Sequence, residues 1–455
     1  MIYRLTPFQD QIPSCVEHPT SEPERTMTEL ATDMVAFAET CPLGAFSPMH
    51  PDLLKCPYTM NQRLHREAPA YRDPMSGIFF ISRYADVVAM SSDHETFSSV
   101  MPGFGTGSLA TQDPELVAIV SQGYPNVSTM LTQDPPLQRR YRKFVDGAFS
   151  PANLKALEPL IERTSNTLID RFIDKGRCEF LSEFGVPLPL TIIASQIGAP
   201  ISDLPLLRKW TGAFIGNLSQ QLDKAGVMQA ARDIVEFQHY FVDKMDERRK
   251  HPADDILSKV VNASIDGEKP LNNAECLSML SQILVAGNET TSSALTEGMW
   301  LLINNPQQYE IVRRDPSTEN ISALVEEILR ITSPSANMFR RTTRDVEVGG
   351  VTIPANSICF ARFGAANQDA KQFEDPLRFD ILRTNLRDHV AFGKGVHHCL
   401  GAALSRREMN GAFKVIFGRL QNFRLSPGAS APEFAANALL HGMTGLELSF
   451  DKIVA

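Results

Sequence analysis

The sequence predicts a mainly α-helical fold, of the α+β kind, with small β-sheets. Three observations carry that prediction. A capping signature, Asn272-Asn273-Ala274-Glu275, opens a helical pattern that continues to about Asn304, ahead of Pro306. Amphipathic stretches at 154–175, 203–215 and 226–249 repeat the helical period elsewhere. Strand-like runs are short and bounded by glycine and proline.

With 455 residues, the chain could form two or three domains or one large helical unit. A hydrophobic content of 43% supports an extensive core, and a net charge of −9 argues against a nucleic-acid partner. The seven cysteines are scattered without framework spacing and read as reduced thiols of a cytoplasmic protein. Residues 1–26 hold four prolines and no long apolar run. Neither a signal peptide nor a membrane anchor is expected there, but a disordered extension preceding a single unit at 27–455.

Taken in order, residues 52–68 form a helical pattern. Two strand-like runs follow, 70–72 and 78–82, joined by the turn Asp73-Pro74-Met75-Ser76-Gly77. From Ser98 to Thr132 there is little periodicity, as in a functional or disordered loop. The segment Gln133–Lys143 enters a helix that ends near Pro151, with Asp134 placed to cap it ahead of two prolines. The amphipathic helix at 154–175 should stop at Gly176. The pattern that begins at Asn272 spans roughly 30 residues, about 45 Å as a helix, enough to cross the molecule. Leu277, Leu280, Leu284, Gly287, Thr291 and Ala294 fall on one stripe of it. Gly287 inside this helix costs about 1 kcal/mol relative to alanine. Beside Glu289, Thr290 and Thr291 it marks either a kink with threonines bonded back to their own helix or a site. Later come Glu327 and Arg330 on a helix, then short strands broken at Gly349-Gly350 and Pro354.

The chemistry concentrates in Phe392-Gly393-Lys394-Gly395-Val396-His397-His398-Cys399-Leu400-Gly401. Its glycines permit a backbone folded tightly around a thiol. A helical pattern starts directly after Cys399, where free amides favour a thiolate. Such a sulfur is a metal ligand or a nucleophile. Zinc is disfavoured, because adjacent residues point apart and no CxxC completes a tetrahedron. A buried structural cysteine is the plainest alternative.

The stretch resembles the haem-binding loop F-G-x-G-x-H-x-C-x-G of the cytochrome P-450 superfamily at every fixed position. Three further motifs follow the family's order: Ala286-Gly287-Asn288-Glu289-Thr290-Thr291, the Glu327/Arg330/Arg383 set, and Asp134-Pro135-Pro136 leading to Arg142. The resemblance covers about residues 50–450 and implies the cytochrome P-450 fold, a long central helix over the cofactor. It makes Cys399 the axial ligand of a heme b (iron protoporphyrin IX), with Phe392 and Gly401 around the sulfur. Arg142, Arg340 and His397 would hold the haem propionates, with Arg341 as the alternative to Arg340. Gln138 stands where the family has histidine. Glu289 and Thr290 would deliver protons to dioxygen, and Glu327, Arg330 and Arg383 would be structural. Residues 98–132 would cover the substrate pocket, with the helices between 184 and 249 as a lid.

The activity implied is a haem-thiolate monooxygenase that hydroxylates a small, mainly apolar organic substrate. Ala286, Ser335, Ala336, Asn337 and Met443 would line its pocket, Asn337 offering a polar anchor, and 439–444 would form a hairpin tip reaching in. No flavin domain or iron–sulfur cysteine cluster is present in the sequence. Electrons should therefore come from a two-iron ferredoxin and its NAD(P)H-dependent reductase. Arg139, Arg140, Lys143, Lys394, Arg406 and Arg407 would offer a basic docking face to that acidic partner. A monomer is expected, with no membrane partner. A peroxide-driven peroxygenase, or a non-enzymatic haem sensor or carrier, would have no need of Glu289 and Thr290.

Overall fold

The computed structural model describes residues 42–45, 47–101, 113–219, 222–265 and 267–453. The extension expected at 1–26 lies outside the described residues.

A helix of 32 residues, Asn273–Asn304, is the axis of the molecule. It begins as the capping signature predicts: the Asn272 side chain accepts from the Glu275 amide at 3.0 Å, and Glu275 accepts from the Asn272 amide at 2.9 Å. Its two halves enter different cores. Cys276, Leu277, Leu280 and Leu284 join an apolar cluster with Trp210, Phe237 and Phe241. Ala294, Leu295, Met299 and Leu302 join a second cluster with Phe172, Phe180 and Phe413. Between them, Ala286 to Thr290 belong to neither core. Ala286 is exposed, and Gly287, Glu289 and Thr290 are half-buried. Burial anchors both ends of the helix and leaves its middle turn facing open space.

Three sheets flank this helical body. Strands β1 (Ala70–Arg72), β2 (Phe79–Ile81), β3 (Phe97–Ser98), β5 (Met338–Thr342) and β8 (Ile358–Ala361) make a mixed sheet in the order β1-β2-β8-β5-β3. Only β2 and β8 run parallel, pairing Phe80 with Phe360. The β-rich region near the N-terminus therefore draws two of its strands from residues 338–361. Strands β4 (Arg177–Glu179), β9 (Leu420–Leu425) and β10 (Glu447–Lys452) form a second sheet, and β6 (Val346–Val348) and β7 (Val351–Ile353) a third.

Local chemistry moved several predicted boundaries. The pattern at 52–68 is two helices, Pro51–Lys55 and Tyr58–Glu67, because Pro57 has no amide to continue the first. The stretch at 154–175 divides into Pro151–Ala156, Glu158–Asp170 and a short turn at Ile173–Lys175, Pro159 opening the middle piece. Gly176 ends it at φ 66°, as read. The aperiodic run from Ser98 contains a helix at Pro114–Val120, capped by Asp113. Asp134 caps nothing. The helix Leu137–Asp146 starts three residues later, and Asp134 instead accepts from the Ser98 hydroxyl at 2.5 Å and the Ser99 amide at 2.8 Å.

Candidate active site

The cysteine loop is built from turns that glycine alone accommodates. Gly393 and Gly395 have φ of 66° and 70°, and a Cβ at Gly395 would drive into the carbonyl oxygen of Ser91. The Cys399 amide donates to the Phe392 carbonyl at 2.9 Å, closing the loop just before the helix Ala402–Arg419. Gln138, buried under the loop, donates to the Val396 carbonyl at 2.8 Å. Arg142 donates to the His398 carbonyl at 3.1 Å and to Asp146 at 3.2 Å. Both side chains from the Leu137–Asp146 helix thus brace the loop's backbone.

Cys399 keeps some accessible surface although atoms surround it deeply, so that surface faces an internal space. Burial pushes its thiol above the ordinary value. The amides of Gly401 and Ala402 and the charges of Arg142 and Arg406 pull the other way without prevailing. The helix-terminus argument for a free thiolate is corrected accordingly: desolvation outweighs the amides here. A cation at the sulfur would restore the thiolate, since a coordinated thiol is deprotonated outright. No cluster of three or more potential metal-ligating side chains exists among the described residues.

Phe392 stands beside the sulfur's loop with the Arg406 guanidinium 4.5 Å above its ring. Arg406 is clamped by Glu326 at 2.6 and 2.8 Å, and Glu326 also meets His389 Nε2 at 3.0 Å. Burial would raise the Glu326 carboxyl, but His389 and Arg406 outweigh it and hold it at about 2. Sequence reading missed this triad. Two adjacent acids gave no sign that each serves a different arginine. Its neighbour Glu327 makes the network that was expected, with Arg330 at 2.8 Å and Arg383 at 3.0 Å.

Arg340 and Arg341 alternate along β5 and face opposite ways. Arg341 donates to the Val100 carbonyl at 3.2 Å and to Asn356 at 2.7 Å. Arg340 is buried, with one hydrogen bond to its neighbour's carbonyl, Phe339 O, at 2.8 Å. Desolvation lowers its guanidinium to about 10. His397 lies within its field and bonds Ser99 Oγ at 2.9 Å. Burial first, then Arg340, brings the imidazole down to about 4, leaving a neutral donor. A buried guanidinium lacking an adequate anionic partner next to a neutral imidazole suits an anionic ligand.

Across the central helix, the Thr290 hydroxyl donates to the Ala286 carbonyl at 2.9 Å. The helix is unbroken through Gly287, whose open side faces Ile193. Burial raises the Glu289 carboxyl, opposed by Arg208. Thr291 turns away to Ser405 Oγ, 3.1 Å distant on the helix after Cys399. Among the expected pocket residues, Ser335 bridges Leu440, and Ala336 and Asn337 both bond the Leu439 carbonyl through their amides. The Asn337 side chain donates to the Ala438 carbonyl at 2.7 Å, so this donor fastens the C-terminal hairpin. Met443 is buried, and Gly442 packs against Ser293 of the central helix.

The basic face is narrower than its sequence. Arg140 and Lys143 are taken up by Glu268, Arg140 also by Glu275, and Arg407 by Glu158. Arg139 and Lys394 have no acidic partner among the described residues.

The donor set fits a haem-thiolate group: one soft sulfur under converging amides, a buried guanidinium awaiting an anion, and an accessible helix turn bearing an acid and a hydroxyl. A family model described as "Cytochrome P450" matches residues 193–443. The 6-deoxyerythronolide B hydroxylase of Saccharopolyspora erythraea is 34% identical over 324 residues, 71% of this chain and 78% of that protein. Linalool 8-monooxygenase of Pseudomonas putida is 29% identical over 405 residues, 88% of this chain and 97% of that one. The structure of cytochrome P450 CYP109Q5 from Chondromyces apiculatus superposes with a TM-score of 0.78 at 29% identity, covering 91% of this chain and all of that one.

Proposed function

The chain belongs to the cytochrome P450 family, haem-thiolate monooxygenases, and from that premise we propose that it hydroxylates a small, mainly apolar organic substrate with electrons from a two-iron ferredoxin and its NAD(P)H-dependent reductase. The observation that carries this reading is the accessible turn between the two cores. It presents a half-buried acid, Glu289, and a hydroxyl, Thr290, on a stretch in the middle of the central helix that neither core claims.

Bound as heme b, the cofactor supplies the redox chemistry by which one oxygen atom enters the substrate and the other leaves as water. Cys399 supplies the sulfur ligand, with the Gly401 and Ala402 amides tempering its charge. Arg340, His397 and Arg142 would hold the propionates. Thr290 commits its proton to Ala286, so its oxygen lone pairs are free to accept a hydrogen bond from the oxygen-derived reactant. Glu289, its carboxyl raised by burial against the pull of Arg208, is the acid placed to exchange protons there. Ala286, Ser335, Ala336, Asn337 and Met443 would form the substrate wall. Arg139 and Lys394 are the unpaired cations that an acidic ferredoxin would meet.

No helix among the described residues is long and apolar enough to cross a membrane. To test the reading, candidate substrates are turned over with ferredoxin, reductase and NADH, against hydrogen peroxide alone. Product with the protein electron donors is expected; product with peroxide only would establish a peroxygenase instead.

A further inference from the structure

Away from the cysteine loop, Arg362, just after β8, is a buried cation without an acidic partner among the described residues. It is 5% exposed, and its Nε and Nη1 have no hydrogen-bond partner. No acid offsets the burial that lowers its guanidinium to about 10. The Phe80 ring lies 5.9 Å from its guanidinium, and a ring face does not satisfy N–H donors. Buried guanidinium groups are otherwise met by carboxylates or carbonyls, because a charge left unpaired away from water is heavily penalised.

Arg362 lines an internal cavity of about 30 Å³, shared with Asn61, Ala336, Asn337 and His441. That is room for roughly two waters, or for the head of a carboxylic acid. Other polar groups there are also unfinished. Both ring nitrogens of His441 and Oδ1 of Asn61 lack hydrogen-bond partners. Glu297 Oε2 lies 3.4 Å from His441 Nδ1; burial raises this carboxyl and His441 opposes the rise. Two of the unpartnered atoms are Arg362 donors, and Arg362 brings the positive charge. Apart from Asn437, the remaining walls are apolar, including Leu53, Phe80 and Leu440.

We propose that this cavity binds a carboxylate through Arg362. It shares Ala336 and Asn337 with the expected substrate wall. Resting on the monooxygenase reading above, the inference is that the preferred substrates are apolar organic acids anchored here by their carboxylate. A free small acid offers the same chemistry, and the test separates the two sources.

The haem-loaded enzyme is titrated with dodecanoic acid, methyl dodecanoate, and acetate, reading the haem absorption shift and the melting temperature. The acid should bind about 10- to 100-fold tighter than its ester, the range expected for a charge-assisted hydrogen-bonded anchor. Arg362→Gln should erase that preference. A haem shift with dodecanoate identifies the substrate's own carboxylate. Stabilisation by acetate, lost in Arg362→Gln and without a haem shift by either acid, identifies a free anion. Equal affinity of acid and ester in the wild type, together with no stabilisation by acetate, would overturn the proposal and leave a cavity filled by water. The comparison of acid with ester needs no variant. A wild type that keeps its sulfur-ligated carbon monoxide spectrum yet shows neither a preference for the acid nor stabilisation by acetate refutes this inference and leaves the monooxygenase reading intact.

Discussion

Thr290 joins two opposed demands in one hydroxyl. Its hydrogen is spent on the Ala286 carbonyl, which steadies the turn after Gly287, and its oxygen remains open on the accessible side. Replacing it by alanine keeps the helix, since alanine is the better helix former, but removes the acceptor. Thr290→Ala should therefore bind haem and oxidise NADH, while product falls by roughly two orders of magnitude and hydrogen peroxide accumulates. Thr290→Ser should recover most of the coupling. Unchanged product per NADH in Thr290→Ala would remove Thr290 from proton delivery. At this scale the motifs were legible because glycine and cysteine spacings encode backbone geometry. Gly395 is required where its missing Cβ avoids Ser91. Arg362 was not legible, because no pattern marks a single arginine at the end of a buried strand. The Cys399 thiol was misread in a simple way: amide proximity can be inferred from sequence, but the depth of burial opposing it cannot.

The helix Thr318–Thr332 shows how one element organises others. Glu327 reaches Arg330, Arg383 and the Asp380 amide, tying down the segment that leads toward the cysteine loop. Glu326, one residue earlier, reaches His389 and Arg406 and so links that segment to the helix after Cys399. The Glu326 carboxyl stands at about 2 when folded, against an ordinary value of 4.5. A carboxyl depressed by folding adds stability above about pH 4.5 and loses it as pH falls toward about 2. The shift corresponds to about 3 kcal/mol. Glu326→Gln should be destabilised by about that amount near neutral pH in denaturant titrations, and the gap should narrow below about pH 4.5 and close toward about pH 2. A gap independent of pH would mean that packing, not charge, holds the triad. Element boundaries were read well where a cap was explicit, as at Asn272. They were misplaced where proline interrupted a continuous apolar pattern, as at Pro57 and Pro159, or where an acid had a distant partner, as Asp134 has in Ser98 and Ser99.

Over the whole molecule, the central helix is fixed at both ends by separate cores, which frees its middle for chemistry without loosening the fold. The C-terminal hairpin reaches the same helix at Gly442 and Ser293 and is fastened to β5 through Asn337. β5 carries Arg340 and Arg362 directly follows β8, so one sheet positions two buried cations. The family's fold was evident from motif order, whereas the sharing of the main sheet between residues 70–98 and 338–361 was not, since strand pairing across such separation leaves no local trace. On the proposed reading, all of it would serve one bond, between the Cys399 sulfur and haem iron. The most direct measurement is the absorption spectrum of the reduced protein under carbon monoxide. The wild type should show the red-shifted band of sulfur-ligated ferrous haem, and Cys399→Ser should lose it. A wild type without that band, or a Cys399→Ser variant that keeps it, would contradict the assignment.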